Sequence, residues 1–191
     1  MNLSNVRVVL ASKSPRRREL LGKICENFEI LTREVDETLP AGVLPKAGVE
    51  MLAVMKGAAV LCDAGDALVI SSDTLVEVDD VPLGKPTSRE DAFDMLRSLS
   101  GRAHNVHTGV AVHYNGKCFS GVASSHVYFK ELSDEEIWQY IDTDEPMDKA
   151  GAYGIQGEGG KFVLKYDGDF DTIMGLSLRL STELIERALA D

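Results

Sequence analysis

The sequence is poor in cysteine. Its 191 residues include only Cys25, Cys62 and Cys118, an odd number at wide spacing. Such a set does not build a disulfide framework, and it lacks the paired spacing of a zinc site. We therefore expect a reducing compartment, the cytoplasm, for this chain.

Long apolar runs are missing as well. No uninterrupted apolar stretch approaches the ~18 residues that would indicate a membrane span. Residues 1–10 also lack the apolar core and the cleavage site of a signal peptide. We therefore expect neither secretion nor a membrane as partner.

Positive charge is scarce. Lys and Arg total 20 against 31 Asp and Glu, which gives a net charge of −11. Proteins that grip duplex nucleic acid are normally basic, so we do not expect nucleic acid as a partner. The cluster of Lys13, Arg16, Arg17 and Arg18 is a local exception.

Several motifs of well-known enzyme classes do not occur. No HExxH or Cys/His set is present, which argues against a zinc site, and no GxSxG is present, which argues against a serine hydrolase. The segment GIQGEGGKF is similar to a phosphate-binding loop, but no GK[ST] follows, and a strand rather than a helix is expected next. Its glycines still allow close approach of the backbone to a flat ligand.

The order of apolar segments predicts a chain of the α/β or the α+β class around a mixed sheet. VRVVLA and ALVISSDT are predicted strands, and the second is expected to stop at its polar tip. Residues 47–63 are predicted to form a helix that ends near Gly65 and is buried on all sides. Asn115-Gly116 predicts a hairpin turn between two later strands. Without repeats or linkers, residues 1–191 are interpreted as a single domain.

The stretch ASKSPRRREL is the first feature that indicates chemistry. Ser14 suits a helix cap and Pro15 the first helical position, so three arginines fall where the helix dipole is already positive. The segment is either a solvated basic face or an anion site, in which a phosphate would relieve the repulsion. In the second case we expect Arg16 or Arg17 nearest the ligand and Arg18 turned outward.

Two acidic segments and two lysines add to this feature. Asp73 of SSDT is expected at the carboxyl end of a strand, and Asp36 and Glu37 of EVDET in a loop after another strand. Alone, these acids could equally be turn-forming or surface residues. Lys56, inside an apolar helix, either reaches water along its stem or meets an anion. Lys85 of LGKP lies in a loop that suits the edge of a site.

Together these groups favour a metal-bridged polyphosphate. Magnesium takes one or two carboxylates and completes its shell with phosphate oxygens and water. One acid could then activate a water for attack on phosphorus, while the cations neutralise developing charge.

The ordered motifs ASKSPRRREL, EVDET, SSDT followed by GKP, HNVHTGVAV and KAGAYGIQG resemble those of the Maf family of nucleoside triphosphate pyrophosphatases. The resemblance implies a twisted mixed sheet flanked by helices, in two lobes with a deep cleft, related in architecture to inosine triphosphate pyrophosphatases. It implies hydrolysis of a nucleoside triphosphate to the monophosphate and pyrophosphate with a divalent metal, Mg²⁺ or Mn²⁺. Homodimers are common in the family, which has been linked to septum control and to removal of non-canonical nucleotides.

The resemblance also implies roles for individual residues. Asp73 matches the proton acceptor, Glu37 matches a second catalytic acid, and both lie beside the metal. The positions that match the phosphate-binding residues are Ser12, Arg17, Lys56 and Lys85.

Three further residues match the dTTP/UTP branch of the family. These are Arg16, Thr74 and Gln156, where a branch acting on 7-methyl-GTP has Trp, Gln and Glu. The Gln156 amide offers the donor and the acceptor that a uracil or thymine edge requires. Ser177 departs from the family pattern, because GLSL stands where GLPL is usual. The alternatives are an enzyme for modified nucleotides such as 7-methyl-GTP and a nucleotide-sensing regulator of division with little turnover.

Overall fold

A computed structural model of the protein describes residue 3 and residues 5–190. The strands in this part of the chain are β1 (Val8–Leu10), β2 (Glu29–Ile30), β3 (Leu68–Val78), β4 (Val81–Leu83), β5 (Ala103–Tyr114), β6 (Lys117–Phe129) and β7 (Val163–Asp167). The α-helices are α1 (Pro15–Gly22), α2 (Pro45–Ala58), α3 (Leu61–Ala64), α4 (Arg89–Leu99), α5 (Asp134–Ile141), α6 (Phe170–Met174) and α7 (Leu178–Ala190). Short 3₁₀ helices span Glu145–Asp148, Ala150–Ala152 and Glu158–Phe162.

The chain divides into two compact units. The first contains the described residues of 1–73 and 175–191 together with Thr108–Ala123, and the second contains Thr74–His107 and Ser124–Met174. Strands β3, β5 and β6 contribute residues to both units. The single domain over 1–191 stays a prediction, and residues 1, 2, 4 and 191 of that span lie outside the described residues.

In the first unit, β1 lies between two parallel neighbours. Val9 pairs with Glu29 of β2 on one side, and Leu10 pairs with Ile70 of β3 on the other. The strand order in this unit is β2-β1-β3-β5-β6. Val9 and Leu10 are fully buried, as expected of an apolar strand inside a parallel arrangement.

In the second unit, β3 pairs with β4 in an antiparallel hairpin. Val78 pairs with Val81, and the turn residues Asp79 and Asp80 adopt positive φ angles of 52° and 62°. Two consecutive positive φ angles suit the tight turn that matches strand twist. The order here is β3-β5-β6-β7, and β7 is antiparallel to β6. Fully buried core side chains of this unit include Leu96, Leu99, Ile137, Tyr140 and Phe162.

The mixed α/β class and the hairpin at Asn115-Gly116 are confirmed. Parallel and antiparallel strand pairs both occur, and helices flank the strands. Asn115 and Gly116 join β5 to β6 with φ angles of 50° and 75°. The cleft stays a prediction. Within the described residues, no helix is both long enough and apolar enough to cross a membrane, and all three cysteines are unpaired thiols.

The expectation that ALVISSDT stops at its polar tip is wrong. β3 continues past Asp73 to Val78 because it changes partners along its length. Its pairing with β1 ends at Ile70, and its pairing with β4 begins at Val76. Asp73 therefore lies inside a strand, but beyond the end of the parallel β1 pair.

The single helix expected over 47–63 is in fact two helices. α2 ends at Ala58, and Val60, with φ −103° and ψ −3°, lies between it and α3. Val60 is fully buried in the apolar cluster beside β1, so its packing overrides helix continuation. Gly65 ends α3 with a φ of 62°, as the sequence predicts.

Burial of α2 is one-sided, which corrects the expectation of burial all round. Val49 is fully buried, whereas Met51 and Met55 on the opposite side are exposed. The buried side packs on β5, where a Cβ on Gly109 would lie 2.4 Å from the Val49 carbonyl oxygen. Glycine in the HNVHTGVAV motif therefore allows the helix backbone to approach the strand closely.

Candidate active site

The arginine turn forms the predicted start of α1. Ser14 caps the helix, because its side chain accepts a hydrogen bond from the Arg17 backbone N–H at 3.4 Å, and Pro15 is the first helical residue. Arg16 and Arg17 are half-buried, whereas Arg18 is exposed, which agrees with the expectation that it points outward.

Arg17 points into the first unit, where its guanidinium meets neutral oxygens. Its Nε donates to the Gly175 carbonyl oxygen at 3.0 Å, and its Nη1 donates to Ser12 Oγ at 3.4 Å. Ser12 is buried and also accepts from the Ser14 backbone N–H at 3.2 Å. Ser72 of β3 donates to the same Gly175 carbonyl at 3.0 Å. The Gly175 carbonyl thus fixes the arginine and the strand that carries Asp73.

The surroundings of Arg17 shift the pKa of its guanidinium in both directions. Burial lowers the pKa of its guanidinium, and the carboxylate of Asp73 raises it. The neighbouring Arg16 lowers this pKa, and Glu37 raises it. Arginine stays protonated under such shifts, so the result is a partly desolvated cation within electrostatic range of both acids.

Lys56 of α2 joins the two predicted catalytic acids. Its Nζ lies 2.5 Å from Asp73 Oδ1 and 2.9 Å from Glu37 Oε1. The Lys56 and Asp73 side chains are only 17% and 11% exposed, whereas the Glu37 side chain is 59% exposed. Lys56 was expected either to reach water or to meet an anion. In the structure its ammonium contacts two carboxylates.

The EVDET loop separates the roles of its two acids. Asp36 Oδ1 accepts from the Thr38 backbone N–H at 2.9 Å, and hydrogen bonds from Thr38 hold the pKa of Asp36 below its usual range. Asp36 therefore shapes the turn, and Glu37 extends to Lys56.

Five predicted site residues thus come together in the first unit: Ser12, Arg17, Glu37, Lys56 and Asp73. Of the other four, Arg16 also lies in the first unit, and Thr74, Lys85 and Gln156 belong to the second unit. Thr74 is half-buried, and Lys85 and Gln156 are exposed. Gln156 lies on residues 154–160, which we call the glycine loop. The joint action of the two groups stays a prediction.

The sequence reasoning did not identify Ser72 or Gly175 as parts of the site. A backbone carbonyl acceptor such as that of Gly175 has no side-chain signal, although the GLSL segment begins with this residue. The departure at Ser177 has a local role, because its Oγ accepts from the Leu180 backbone N–H at 3.4 Å at the start of α7. Serine thus caps the helix where the family usually has proline.

The carboxylates of Glu37 and Asp73 fit a divalent ion only if substrate oxygens complete its coordination shell. Among the described residues, no group of three or more His, Cys, Asp and Glu side chains could hold a metal. Glu37 and Asp73 nevertheless converge on one cationic point, now the ammonium of Lys56. Two carboxylates with phosphate oxygens and water are a normal magnesium environment, so these residues fit an ion that arrives with a nucleotide.

The sequence matches the family of Maf-like proteins over residues 7–188. Because the match covers nearly the whole chain, the chain belongs to the Maf family, as its motifs predicted.

Two proteins with similar sequences are dTTP/UTP pyrophosphatases. The dTTP/UTP pyrophosphatase of Bacillus velezensis is 46% identical over 170 residues, which cover 89% of this chain and 90% of that protein. The dTTP/UTP pyrophosphatase of Thermococcus onnurineus is 46% identical over 179 residues, covering 94% and 96%.

Solved structures of more distant proteins are also similar. The Ham1 protein of Staphylococcus aureus matches with 19% identity and a TM-score of 0.47, over 96% of this chain and 94% of that chain. A HAM1 protein of Coxiella burnetii matches with 13% identity and a TM-score of 0.48, over 95% and 99%. At these TM-scores the likeness carries no argument about this chain.

Proposed function

We propose that this protein hydrolyses nucleoside triphosphates, dTTP and UTP foremost, to the monophosphate and pyrophosphate. The observation that carries the proposal is the contact of Lys56 with both Asp73 and Glu37, with Arg17 in electrostatic range of both acids. Membership of the Maf family and the names of the similar proteins support the same reaction.

The cations of the first unit would bind the phosphate chain. Arg17 is already oriented by two hydrogen bonds, so little side-chain entropy is lost when it binds a phosphate oxygen. Ser12 adds a hydroxyl, and Arg16 adds a second guanidinium at the helix start. Lys85 is assigned to the same task by the family resemblance.

Glu37 and Asp73 would hold the divalent ion, Mg²⁺ or Mn²⁺. When bound, such an ion neutralises phosphate charge and lowers the pKa of a coordinated water. Lys56 must then release at least one carboxylate, and Glu37 is the exposed partner of the two. The freed ammonium would bind a phosphate oxygen in exchange.

Asp73 would act as the general base. It would accept a proton from water as the water oxygen attacks the α-phosphorus, and the bond from that phosphorus to the bridging oxygen would break. Pyrophosphate would leave with its charge neutralised by Lys56 and Arg17.

The pyrimidine preference rests on Arg16, Thr74 and Gln156. Gln156 is exposed on the glycine loop, so its amide is available to a ligand. One donor and one acceptor on this amide match the edge of uracil or thymine. A homodimer, removal of non-canonical nucleotides and septum control stay predictions of the family resemblance, and the cytoplasm stays a prediction of the cysteine content.

A substrate panel tests the proposal. The purified protein is incubated with dTTP, UTP, CTP, GTP, 7-methyl-GTP and pseudouridine triphosphate, with Mg²⁺ or Mn²⁺. We expect kcat/KM for dTTP and UTP to exceed that for GTP by about 100-fold. A higher value for a modified nucleotide would favour that alternative, and nucleotide binding without turnover would favour a sensor.

A further inference from the structure

The carboxylate of Glu145 lies at the centre of the glycine loop in the second unit. Its Oε2 accepts from the Glu158 backbone N–H at 2.9 Å, and its Oε1 accepts from the Gly159 backbone N–H at 3.3 Å. The Tyr140 hydroxyl donates to Oε1 at 2.8 Å and accepts from the Gly154 backbone N–H at 3.1 Å. Backbone groups at both ends of the loop are therefore held, directly or through Tyr140, by one carboxylate.

The glycines of the loop allow its backbone to lie this close to the Glu145 carboxylate and the Tyr140 hydroxyl. A Cβ on Gly157 would lie 2.3 Å from Glu145 Oε1, and a Cβ on Gly159 would lie 2.6 Å from the Tyr140 hydroxyl. Any larger residue would therefore push the loop away from the carboxylate.

Glu145 is ionised in this setting. Burial raises the pKa of its carboxyl, but hydrogen bonds from Glu158, Tyr140 and Gly159, with the charge of Lys149, hold that pKa below its usual range. Burial raises the pKa of Tyr140, so its hydroxyl keeps its proton and donates. A charged acceptor surrounded by donors binds more strongly than a neutral one.

Gln156 is an exposed residue near the middle of the segment that these bonds enclose. We infer that Glu145 is a positioning residue for substrate specificity: by fixing the glycine loop it fixes the direction of the Gln156 amide toward a pyrimidine base. This inference rests on the proposed function, because Gln156 matters only if the base is read there. Glu145 itself need not touch the nucleotide.

The test compares Glu145→Gln with the matched control Glu158→Gln. Both remove one negative charge at the glycine loop, but the Glu158 side chain is exposed and pairs only with Lys161, at 3.4 Å, among the contacts that the described residues show. In Glu145→Gln the new NH₂ group faces at least one of the existing donors in either amide orientation.

Two readouts are needed, of which only one depends on activity. Hydrogen exchange at the Glu158 and Gly159 amides should speed up by about tenfold or more in Glu145→Gln. KM for UTP should rise by about tenfold with kcat within about threefold of wild type, and the preference for UTP over GTP should fall by a similar factor. The Glu158→Gln control should match wild type in both.

Wild-type exchange at these amides in Glu145→Gln would overturn the inference whatever the activity. Faster exchange with an unchanged KM and an unchanged UTP/GTP preference would also overturn it. If Glu145→Gln does not fold, Tyr140→Phe is the variant that tests the inference. It leaves the carboxylate in place but removes the acceptor for the Gly154 backbone N–H. The changes in amide exchange, in KM for UTP and in UTP/GTP preference should then be in the same direction but smaller. A wild-type protein without any turnover would overturn the proposed function instead, and the exchange data would still decide whether Glu145 holds the loop.

Discussion

Lys56 Nζ and Asp73 Oδ1 lie 2.5 Å apart, and both side chains are nearly buried, whereas the second carboxylate on the same ammonium, that of Glu37, is largely exposed. An exposed ion pair contributes little and is exchanged easily, but breaking a buried pair is costly. The asymmetry suits a site in which Asp73 stays fixed and Glu37 moves between the lysine and an incoming cation.

The first prediction concerns Asp73→Asn. Turnover of UTP should fall by about 100- to 10,000-fold, the usual contribution of a general base, because the amide cannot accept the proton of the attacking water. The fold should remain, since Lys56 keeps Glu37 as a partner. Steady-state rates and a thermal melt check this, with Asp63→Asn, at an exposed pair with Arg33, as the control. Near-normal turnover would exclude Asp73 as the base.

The second prediction concerns Lys56→Met. Without the ammonium, Glu37 and Asp73 repel each other, so Mn²⁺ should bind more tightly in the absence of nucleotide, while kcat/KM for UTP falls by about 100-fold. Calorimetric titration with Mn²⁺ and initial rates measure the two effects. The control is Lys46→Met, an exposed lysine on the same helix. Weaker Mn²⁺ binding in Lys56→Met would show that the two carboxylates do not form the metal site.

The third prediction concerns the base. Gln156→Glu removes the donor and adds a charge, so kcat/KM for UTP should fall by about tenfold or more. The value for 7-methyl-GTP should rise, because the family branch for that nucleotide has glutamate at this position. Gln139→Glu, at an exposed position on α5, is the control. Equal losses for all nucleotides would contradict a role in base recognition.

The fourth prediction concerns stability at low pH. His104 is 3% exposed, its Nε2 lies 2.8 Å from the Tyr153 hydroxyl oxygen, and burial lowers its pKa to about 4. An unfolded histidine titrates near pH 6.5, so below that value the unfolded chain binds a proton that the native chain does not. The contribution of neutral His104 to the free energy of unfolding is therefore fully present above about pH 6.5. It falls by about 3 kcal/mol as the pH drops to about 4.

Urea unfolding of His104→Phe at about pH 7 and about pH 4.5 tests this prediction. The variant should be less stable at neutral pH by about 1–3 kcal/mol, because the Tyr153 hydroxyl loses a partner, but its stability should fall less on acidification. His126→Phe, at an exposed position, should keep the wild-type pH dependence. The same acid loss in His104→Phe would assign the effect to other groups.

Local rules were sufficient where neighbouring residues decide the conformation. Ser14 and Pro15 predicted the start of α1, and Asn115-Gly116 predicted the hairpin, because caps and tight turns depend on a few adjacent residues. They failed where distant strands decide. β3 continues past Asp73 because β4 supplies new partners, and α2 ends early because Val60 packs into the core.

The candidate site also contains residues that the sequence predicted and residues that it did not. Motifs predicted Arg17, Lys56 and Asp73 as neighbours, because the charges require one another once the chain is folded. The Gly175 carbonyl could not be predicted, since any residue carries a carbonyl. Glu145 was missed because two of its partners are backbone N–H groups, which carry no side-chain signal, and the third is the Tyr140 hydroxyl, whose approach only the folded chain shows.

The reaction itself is tested most directly by hydrolysing UTP with Mg²⁺ in heavy-oxygen water and locating the label by mass spectrometry. Attack of water on the α-phosphorus, activated by Asp73, predicts label in the uridine monophosphate and release of unlabelled pyrophosphate. Label in pyrophosphate, or release of labelled inorganic phosphate with uridine diphosphate, would contradict the mechanism.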